Sequence, residues 1–128
     1  MNYIFLDNGF EEIEAITTID LLRRANIALT TVSVTGVESV LGAHNIAVKA
    51  DKLFQNVDFA DAEMLILPGG ATNLYECKPL CNLLLQHNEQ EKLIAAVRCF
   101  CFLFQGSAFF RKNKIRSTKG SQSRQSKQ

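Results

Sequence analysis

The apolar positions of the first 97 residues alternate or cluster as they do in an α/β domain. Short apolar runs rich in β-branched or aromatic side chains predict buried strands at residues 2–6, 27–34, 64–67 and 93–97. The run of four at residues 64–67 is flanked by acidic residues and by Pro68-Gly69-Gly70, which is typical of a central parallel strand covered on both faces. Alternation over residues 46–50 favours one arm of a hairpin.

Two segments between these strands have helical periodicity. After the Asn8-Gly9 turn, acidic residues open a helix that ends at Ala25-Asn26 and whose apolar stripe consists of Ile13, Ile16 and Ile19. The second helix is predicted over residues 78–87, with Pro79 in its first turn and an inner face of Leu80, Leu83 and Leu84. We expect the remaining segment, residues 54–62, to be an irregular connection.

This order of elements predicts an α/β sandwich with a mainly parallel sheet and right-handed crossovers. Ligands in such folds bind beyond the carboxyl ends of the strands. That rule selects residues 7–14, residues 68–71 and whatever follows Val97 as candidate site segments.

Charge is distributed unevenly along the 128 residues. The chain is 47% hydrophobic and 21% charged with a formal net charge of +1, and no apolar run approaches the roughly 20 residues of a membrane span. Residues 1–110 hold all the acidic side chains, whereas residues 111–128 are basic and contain one aliphatic residue, so we expect a disordered basic tail. The tail could contact an acidic surface, act as a targeting signal, or be a by-product of the reading frame. We favour the last and predict no nucleic-acid partner, because no aromatic residue interrupts the basic run.

The cysteines and histidines do not form a convincing ligand set. Cys77 and Cys81 lie four apart on a predicted helix, and the C-x-C pair of Cys99 and Cys101 is also a poor match to zinc spacing. We therefore expect no metal, reduced thiols, and solvated histidines at His44 and His87. With no signal-peptide pattern at the N-terminus, the expected location is cytoplasmic.

Three blocks carry a resemblance to a known family. The stretches FLDNGFEEIEAITTIDLLRRANI, MLILPGGATNL and EKLIAAV occur in the order and at the separations typical of the ThiJ/PfpI superfamily, in particular its protein-deglycase branch. The resemblance covers residues 1–97. It implies a flavodoxin-like three-layer sandwich that forms a homodimer and needs no cofactor.

The resemblance also implies a catalytic arrangement. The family places a reactive cysteine on an elbow after the LIAAV-type strand, beside the third glutamate of the Glu-Glu-x-Glu block, which is Glu14 here. Backbone donors of the Pro-Gly-Gly turn, here Gly69 and Gly70, would stabilise an oxyanion. Implied substrates are small reactive aldehydes such as methylglyoxal or glycated proteins, and redox-linked chaperoning under oxidative stress is a further activity ascribed to the branch.

The chain departs from this pattern after Val97. The family continues into Cys-Ala-[AG]-Pro, whereas this chain has Arg98 at the nucleophile position, with Cys99 the nearest thiol. We therefore divide the chain into a family domain at 1–97, an apolar non-family segment at 98–110 and the basic tail at 111–128, and expect the fold to be incomplete at its C-terminus. A shifted reading frame, in which a cysteine follows Ala96, and a spliced or retained-intron isoform both explain this departure.

Two functions of different classes follow. The first is a truncated family enzyme for aldehydes or glycated groups, impaired as written, with Glu14 and Cys99 as its catalytic candidates. The second is a non-enzymatic chaperone or dimerisation partner that associates with a second copy or a full-length homologue. Whether the chain is an enzyme is left open by the sequence.

Overall fold

The computed structural model describes residues 1–70 and 74–97. These residues form seven strands and two helices: β1 Asn2–Leu6, α1 Glu12–Arg24, β2 Leu29–Ser33, β3 Ser39–Leu41, β4 Ala47–Lys49, β5 Lys52–Leu53, β6 Met64–Leu67, α2 Lys78–Glu89 and β7 Leu93–Ala96. The four main strands and both helices were predicted, and α2 runs two residues further than expected. Segments 98–110 and 111–128 lie outside the described residues.

The main sheet has the order β5-β2-β1-β6-β7, and its neighbouring strands are all parallel. β3 and β4 form a separate antiparallel hairpin, which confirms the hairpin predicted from residues 46–50. Because β1 and β6 are paired on both sides, they are the buried centre of the sheet, as the continuous apolar run of β6 predicts. The predicted mainly parallel α/β fold is confirmed.

The two faces of the sheet contribute to different parts of the core. Tyr3 and Phe5 of β1 pack on one face in the cluster that contains Leu80 and Leu84 of α2. The alternate residue, Ile4, belongs to a cluster on the opposite face, and Ile19 and Leu22 of α1 pack against that cluster. This alternation along β1 places the helices on opposite sides of the sheet and produces three layers.

Of the apolar stripe predicted for α1, Ile19 packs against the core, whereas Ile13 and Ile16 are exposed. Ile13 is 75% exposed and Ile16 is 39% exposed, whereas the buried face of the helix carries Glu12 and Ala15. The helix is therefore rotated relative to the prediction, with the small Ala15 against the core and Glu12 turned towards the hairpin. Periodicity identified the helix correctly, but two of the three isoleucines of the predicted stripe are exposed.

The two histidines also differ from the prediction. His87, expected to be solvated, is only 3% exposed, and its ring nitrogen lies 3.3 Å from the carbonyl oxygen of Glu63. His44 is exposed, as predicted, but its ring is bonded to a carboxylate. Within the described ranges, no helix is both long and apolar enough to cross a membrane.

Candidate functional site

The carboxyl ends of three neighbouring strands converge on one point of the described structure. The segment after β1 is joined to the segment after β6 by the backbone bond from the Glu11 N–H to the Gly69 carbonyl, 2.9 Å, and by an isolated bridge between Phe10 and Gly70. The segment after β7 follows β6, since the Val97 N–H donates to the Leu67 carbonyl at 3.0 Å. The three segments selected from the sequence as candidate site segments therefore meet, as far as they are described.

Glu14 is the acidic side chain at this convergence. It lies in the first turn of α1, where a negative charge is favoured by the helix dipole, and it is half-buried. Its Oε2 accepts a hydrogen bond of 3.0 Å from the Gly69 N–H, and its carbonyl accepts a 2.7 Å bond from the Thr18 hydroxyl. The structure thus joins Glu14 and Gly69, which are 55 residues apart and which the family resemblance had assigned to one site.

Two glycines allow this close approach. A Cβ at Gly69 would overlap Glu14 Oε2 and would lie 3.2 Å from the Val97 carbonyl oxygen. Gly70 has φ of +125°, which favours glycine, and a Cβ there would overlap the Gly9 carbonyl. Because its two glycines lack side chains, the Pro-Gly-Gly turn allows the segments after β1, β6 and β7 to lie in contact.

The predicted oxyanion donors are in different situations. The Gly69 N–H points to Glu14 and is already used by that carboxylate. For Gly69 to donate to a substrate oxygen, the Glu14 carboxylate would have to release it. Ala71, which follows Gly70, and the predicted nucleophile candidate Cys99 lie outside the described residues.

A second polar cluster adjoins this site and was not predicted. The carboxylate of Glu12, buried at 4% exposure, accepts bonds from the His44 N–H at 2.6 Å and from the Ile46 N–H at 3.4 Å, and its Oε2 lies 2.8 Å from His44 Nδ1. Burial acts to raise the pKa of Glu12, but the bonds from His44 and the backbone outweigh it and lower the pKa to about 2. Nothing local marks this pair in the sequence, since Glu12 and His44 are 32 residues apart.

Glu11 completes that cluster, with its Oε1 3.6 Å from His44 Nδ1. The three side chains bring one candidate ligand atom each within 4.8 Å of the others, which is the composition of a metal site. The Glu12 carboxylate is already occupied by three nitrogen contacts, so we interpret the group as a hydrogen-bonded cluster. The expectation that the chain binds no metal stays a prediction.

Cys77 and Cys81 are unpaired thiols at the start of α2. Cys77 packs against the core, and the Cys81 thiol donates to the Tyr75 carbonyl at 3.2 Å. Burial, and to a smaller extent the neighbouring Cys77, raises the pKa of Cys81. A raised pKa disfavours the reactive thiolate form of Cys81.

The parallel sheet with helices on both faces places the chain among the flavodoxin-like α/β proteins. At the end of β6 its glycine turn contacts a glutamate of the first helix. Comparison with known proteins specifies the class further. Residues 2–105 match the model of the DJ-1/PfpI family, and the chain belongs to that family. The resemblance drawn from the sequence blocks is therefore confirmed.

Relatives and solved structures of this family match the described region. The chain is 33% identical over 95 residues to protein DJ-1 homolog B of Arabidopsis thaliana, covering 72% of this chain and 22% of that protein, and 30% identical over 98 residues to the Parkinson disease protein 7 homolog of Danio rerio, covering 73% and 52%. Toxoplasma gondii DJ-1 in its oxidized form is 36% identical with a TM-score of 0.69, covering 74% of this chain and 53% of that one. A DJ-1 superfamily protein of Salmonella typhimurium, solved as a cysteine-to-alanine mutant, is 32% identical with a TM-score of 0.71 and the same coverage. The chain thus spans about half the length of these last three proteins, and less of the first.

Proposed function

We propose that the chain carries the acid-base half of a site for small reactive aldehydes or glycated groups, and that it is impaired because Arg98 occupies the position of the family's cysteine. The supporting observation is the bond between Glu14 and the Gly69 N–H at the convergence of the strand ends. A Cβ at Gly69 would meet both the Glu14 carboxylate and the Val97 carbonyl oxygen, so Glu14 and the end of β7 border the same glycine.

The proposed chemistry of a competent site with methylglyoxal is as follows. A thiolate adds to the aldehyde carbon, forming a carbon–sulfur bond, and the aldehyde oxygen takes up a proton to give a hemithioacetal. A carboxylate at Glu14 removes the proton from that carbon and returns it to the adjacent carbon, which converts the hemithioacetal into a thioester. Water then cleaves the thioester, releasing lactate and regenerating the thiol, so the net reaction is the addition of one water molecule.

Cys99 is the thiol available to this chain nearest to the expected position. It is displaced by one residue and flanked by Arg98 and Phe100, whereas the family has small residues after its cysteine. An elbow between a strand and a helix favours small side chains, because the backbone turns close to its neighbours. The chain is therefore expected to hydrate methylglyoxal slowly or not at all.

Turnover of methylglyoxal by the purified full chain tests this proposal. We expect a rate at the level of the buffer, and a gain when Arg98→Cys restores a thiol at the family position. Glu14→Gln combined with Arg98→Cys should abolish that gain, whereas Glu38→Gln, which alters an exposed carboxylate of the hairpin, should preserve it. Turnover in the unaltered chain that is lost in Cys99→Ala would contradict impairment, and a gain unaffected by Glu14→Gln would contradict the role of Glu14.

The second candidate function, a non-enzymatic association partner, is supported by the exposed face of α1. Ile13, Ile16 and Leu21 are 75%, 39% and 59% exposed and share one side of the helix with the Asp20–Arg24 ion pair. The Asp20–Arg24 pair balances the charge within this face, so covering it with a second copy leaves neither of these two groups without a partner. We propose that a second copy of the chain covers this face. Chaperoning under oxidative stress and a cytoplasmic location are further proposals, supported by membership of the family.

Sedimentation velocity distinguishes a dimer from a monomer. Ile16→Asp should shift the distribution towards monomer, because it places a charge in the proposed apolar contact. Val37→Asp is the matched control, since Val37 is 60% exposed and lies outside α1, in the segment between β2 and β3. A monomeric unaltered chain at high concentration, or dissociation equal in both variants, would contradict the proposed interface.

A further inference from the structure

The buried carboxylate of Glu12 does not serve the proposed reaction, although it belongs to the same first turn as Glu14. It faces away from Gly69 and receives the loop of the β3–β4 hairpin, residues 42–46, through the two backbone N–H groups and the ring of His44 described above. A Cβ at Gly42 would overlap this carboxylate, so a glycine is needed where the loop backbone passes Glu12. The buried Glu12 carboxylate therefore attaches the hairpin loop to α1 by three contacts, and the Glu11 carboxylate adds a longer one to His44.

The same loop is tied to the segment that leads into the candidate site. The Ala43 N–H donates to the Phe10 carbonyl at 2.8 Å, and the Gly9 N–H donates to the Leu41 carbonyl at 2.8 Å. Phe10 in turn forms the bridge with Gly70. Phe10 thus contacts both the hairpin loop and the glycine turn through its backbone.

His44 is the titratable member of this attachment. Its side chain is 67% exposed and can exchange protons with solvent, whereas the Glu12 side chain is 5% exposed. The bond to Glu12 and then the nearby charge of Glu11 raise the pKa of His44 above its ordinary value. The other charged groups of the hairpin, Glu38 and Lys49, pair with each other at the far end of its strands.

We propose that His44 is a proton-dependent switch that strengthens the docking of the hairpin loop on α1 when protonated and weakens it when neutral. The imidazolium places a positive charge against the buried carboxylate, and a charge-assisted bond is stronger than a neutral one. Because the docked form binds the proton more tightly, docking is strongest below the ordinary pKa of histidine. It weakens as the pH rises through the higher pKa of the docked form. This inference does not depend on the proposed activity.

The test is an NMR titration of the full chain between about pH 5 and pH 9, a range that spans the ordinary histidine pKa. The chain has two histidines, so His87 serves as an internal reference. We expect His44 to titrate above an unstructured histidine and His87 below it, because burial lowers the pKa of His87. The hydrogen-exchange protection of the Ala43 amide, corrected for the intrinsic rate, should fall with the midpoint of His44.

Linkage sets the size of that fall. The protection of Ala43 should decrease by the factor that separates the acid dissociation constants of His44 in the folded chain and in an unstructured peptide. His44→Gln should remove the pH dependence of Ala43 protection while leaving the far-ultraviolet spectrum unchanged. Glu11→Gln removes the nearby charge but keeps the bond to Glu12, so the titration midpoint of His44 should fall only part of the way to the ordinary value. A His44 midpoint at the ordinary value, or Ala43 protection that does not follow His44, would overturn the proposal.

Discussion

Replacing Gly69 by alanine should destabilise the chain through its contact with Glu14. The new methyl group would overlap Glu14 Oε2 and lie 3.2 Å from the Val97 carbonyl oxygen, and Gly69 itself is buried. Overpacking of this kind costs about 1–3 kcal/mol when the surroundings cannot move freely. Displacing the carboxylate also weakens its bond to the Gly69 N–H, a bond to a charged group that contributes about 1.5–3 kcal/mol where it is buried and less at a half-buried residue. We expect a total loss of about 2–3 kcal/mol.

A double-mutant cycle assigns the loss to this contact. Glu14→Ala removes the overlapping oxygen, so Gly69→Ala should cost less in that background, with a coupling free energy of about 1 kcal/mol or more. Urea unfolding followed by circular dichroism measures each corner of the cycle. The midpoint of Gly69→Ala alone should fall by about 1 M, given the usual denaturant dependence of small domains.

Gly36→Ala provides the control for a glycine replacement without an overlap. No atom lies within 4 Å of a Cβ at Gly36, although its φ of +88° adds a backbone cost of about 1–2 kcal/mol for a residue with a side chain. That cost should be independent of Glu14. Strict additivity of Gly69→Ala with Glu14→Ala would refute the close approach of the glycine turn to the glutamate.

Three further outcomes are expected. Burial lowers the pKa of His87, so the fold is stabilised where this histidine is neutral. That stabilisation should be lost as the pH falls below about 6.5. In the variant His87→Leu, the urea midpoint should therefore depend less on pH over that range. Tyr3→Phe should cost about 1 kcal/mol in the same assay, because it deletes the 2.8 Å bond from the Tyr3 hydroxyl to Asp61, and titration of the unaltered phenol should give a pKa of about 12, raised by burial and then by Asp61. Since β7 pairs only with β6 among the described residues and Leu93 is 68% exposed, Leu93→Lys should reduce aggregation measured by light scattering more than Val37→Lys does.

Local patterns were sufficient for the elements of the fold and insufficient for their orientation. β6 is recognisable because four apolar residues between acidic residues and a Pro-Gly-Gly turn are typical of a buried strand. β5 was missed, since two residues carry no periodicity. The buried face of α1 depends on where the hairpin docks, and a sequence pattern cannot show that Glu12 is more buried than Ile13. The tertiary contacts of Glu12 bury it more deeply than Ile13, which is the opposite of what hydrophobicity predicts.

The candidate site was likewise predicted only in part. The rule that ligands bind at the carboxyl ends of parallel strands selected the segments that hold Glu14 and Gly69, and the structure brings these two residues into contact. The neighbouring Glu12–His44 pair was not predicted, because it joins a helix to a hairpin loop and no sequence motif marks its exposed histidine. The distance between Glu14 and Cys99 depends on residues outside the described part, so the role of Cys99 stays a prediction.

The contacts made before residue 98 separate two explanations for an inactive chain. If the framework were defective, the parts of the site that precede Arg98 should fail to meet. They do meet: the Glu11 N–H, the Gly69 N–H and the Val97 N–H each find their partners at 2.9 Å, 3.0 Å and 3.0 Å. A loss of activity with an intact Glu14–Gly69 contact would therefore originate outside these contacts, and Arg98 at the position of the family's cysteine is the proposed cause. Restoring a cysteine there tests that segment, whereas the Gly69–Glu14 cycle tests the framework, and the two experiments can fail independently.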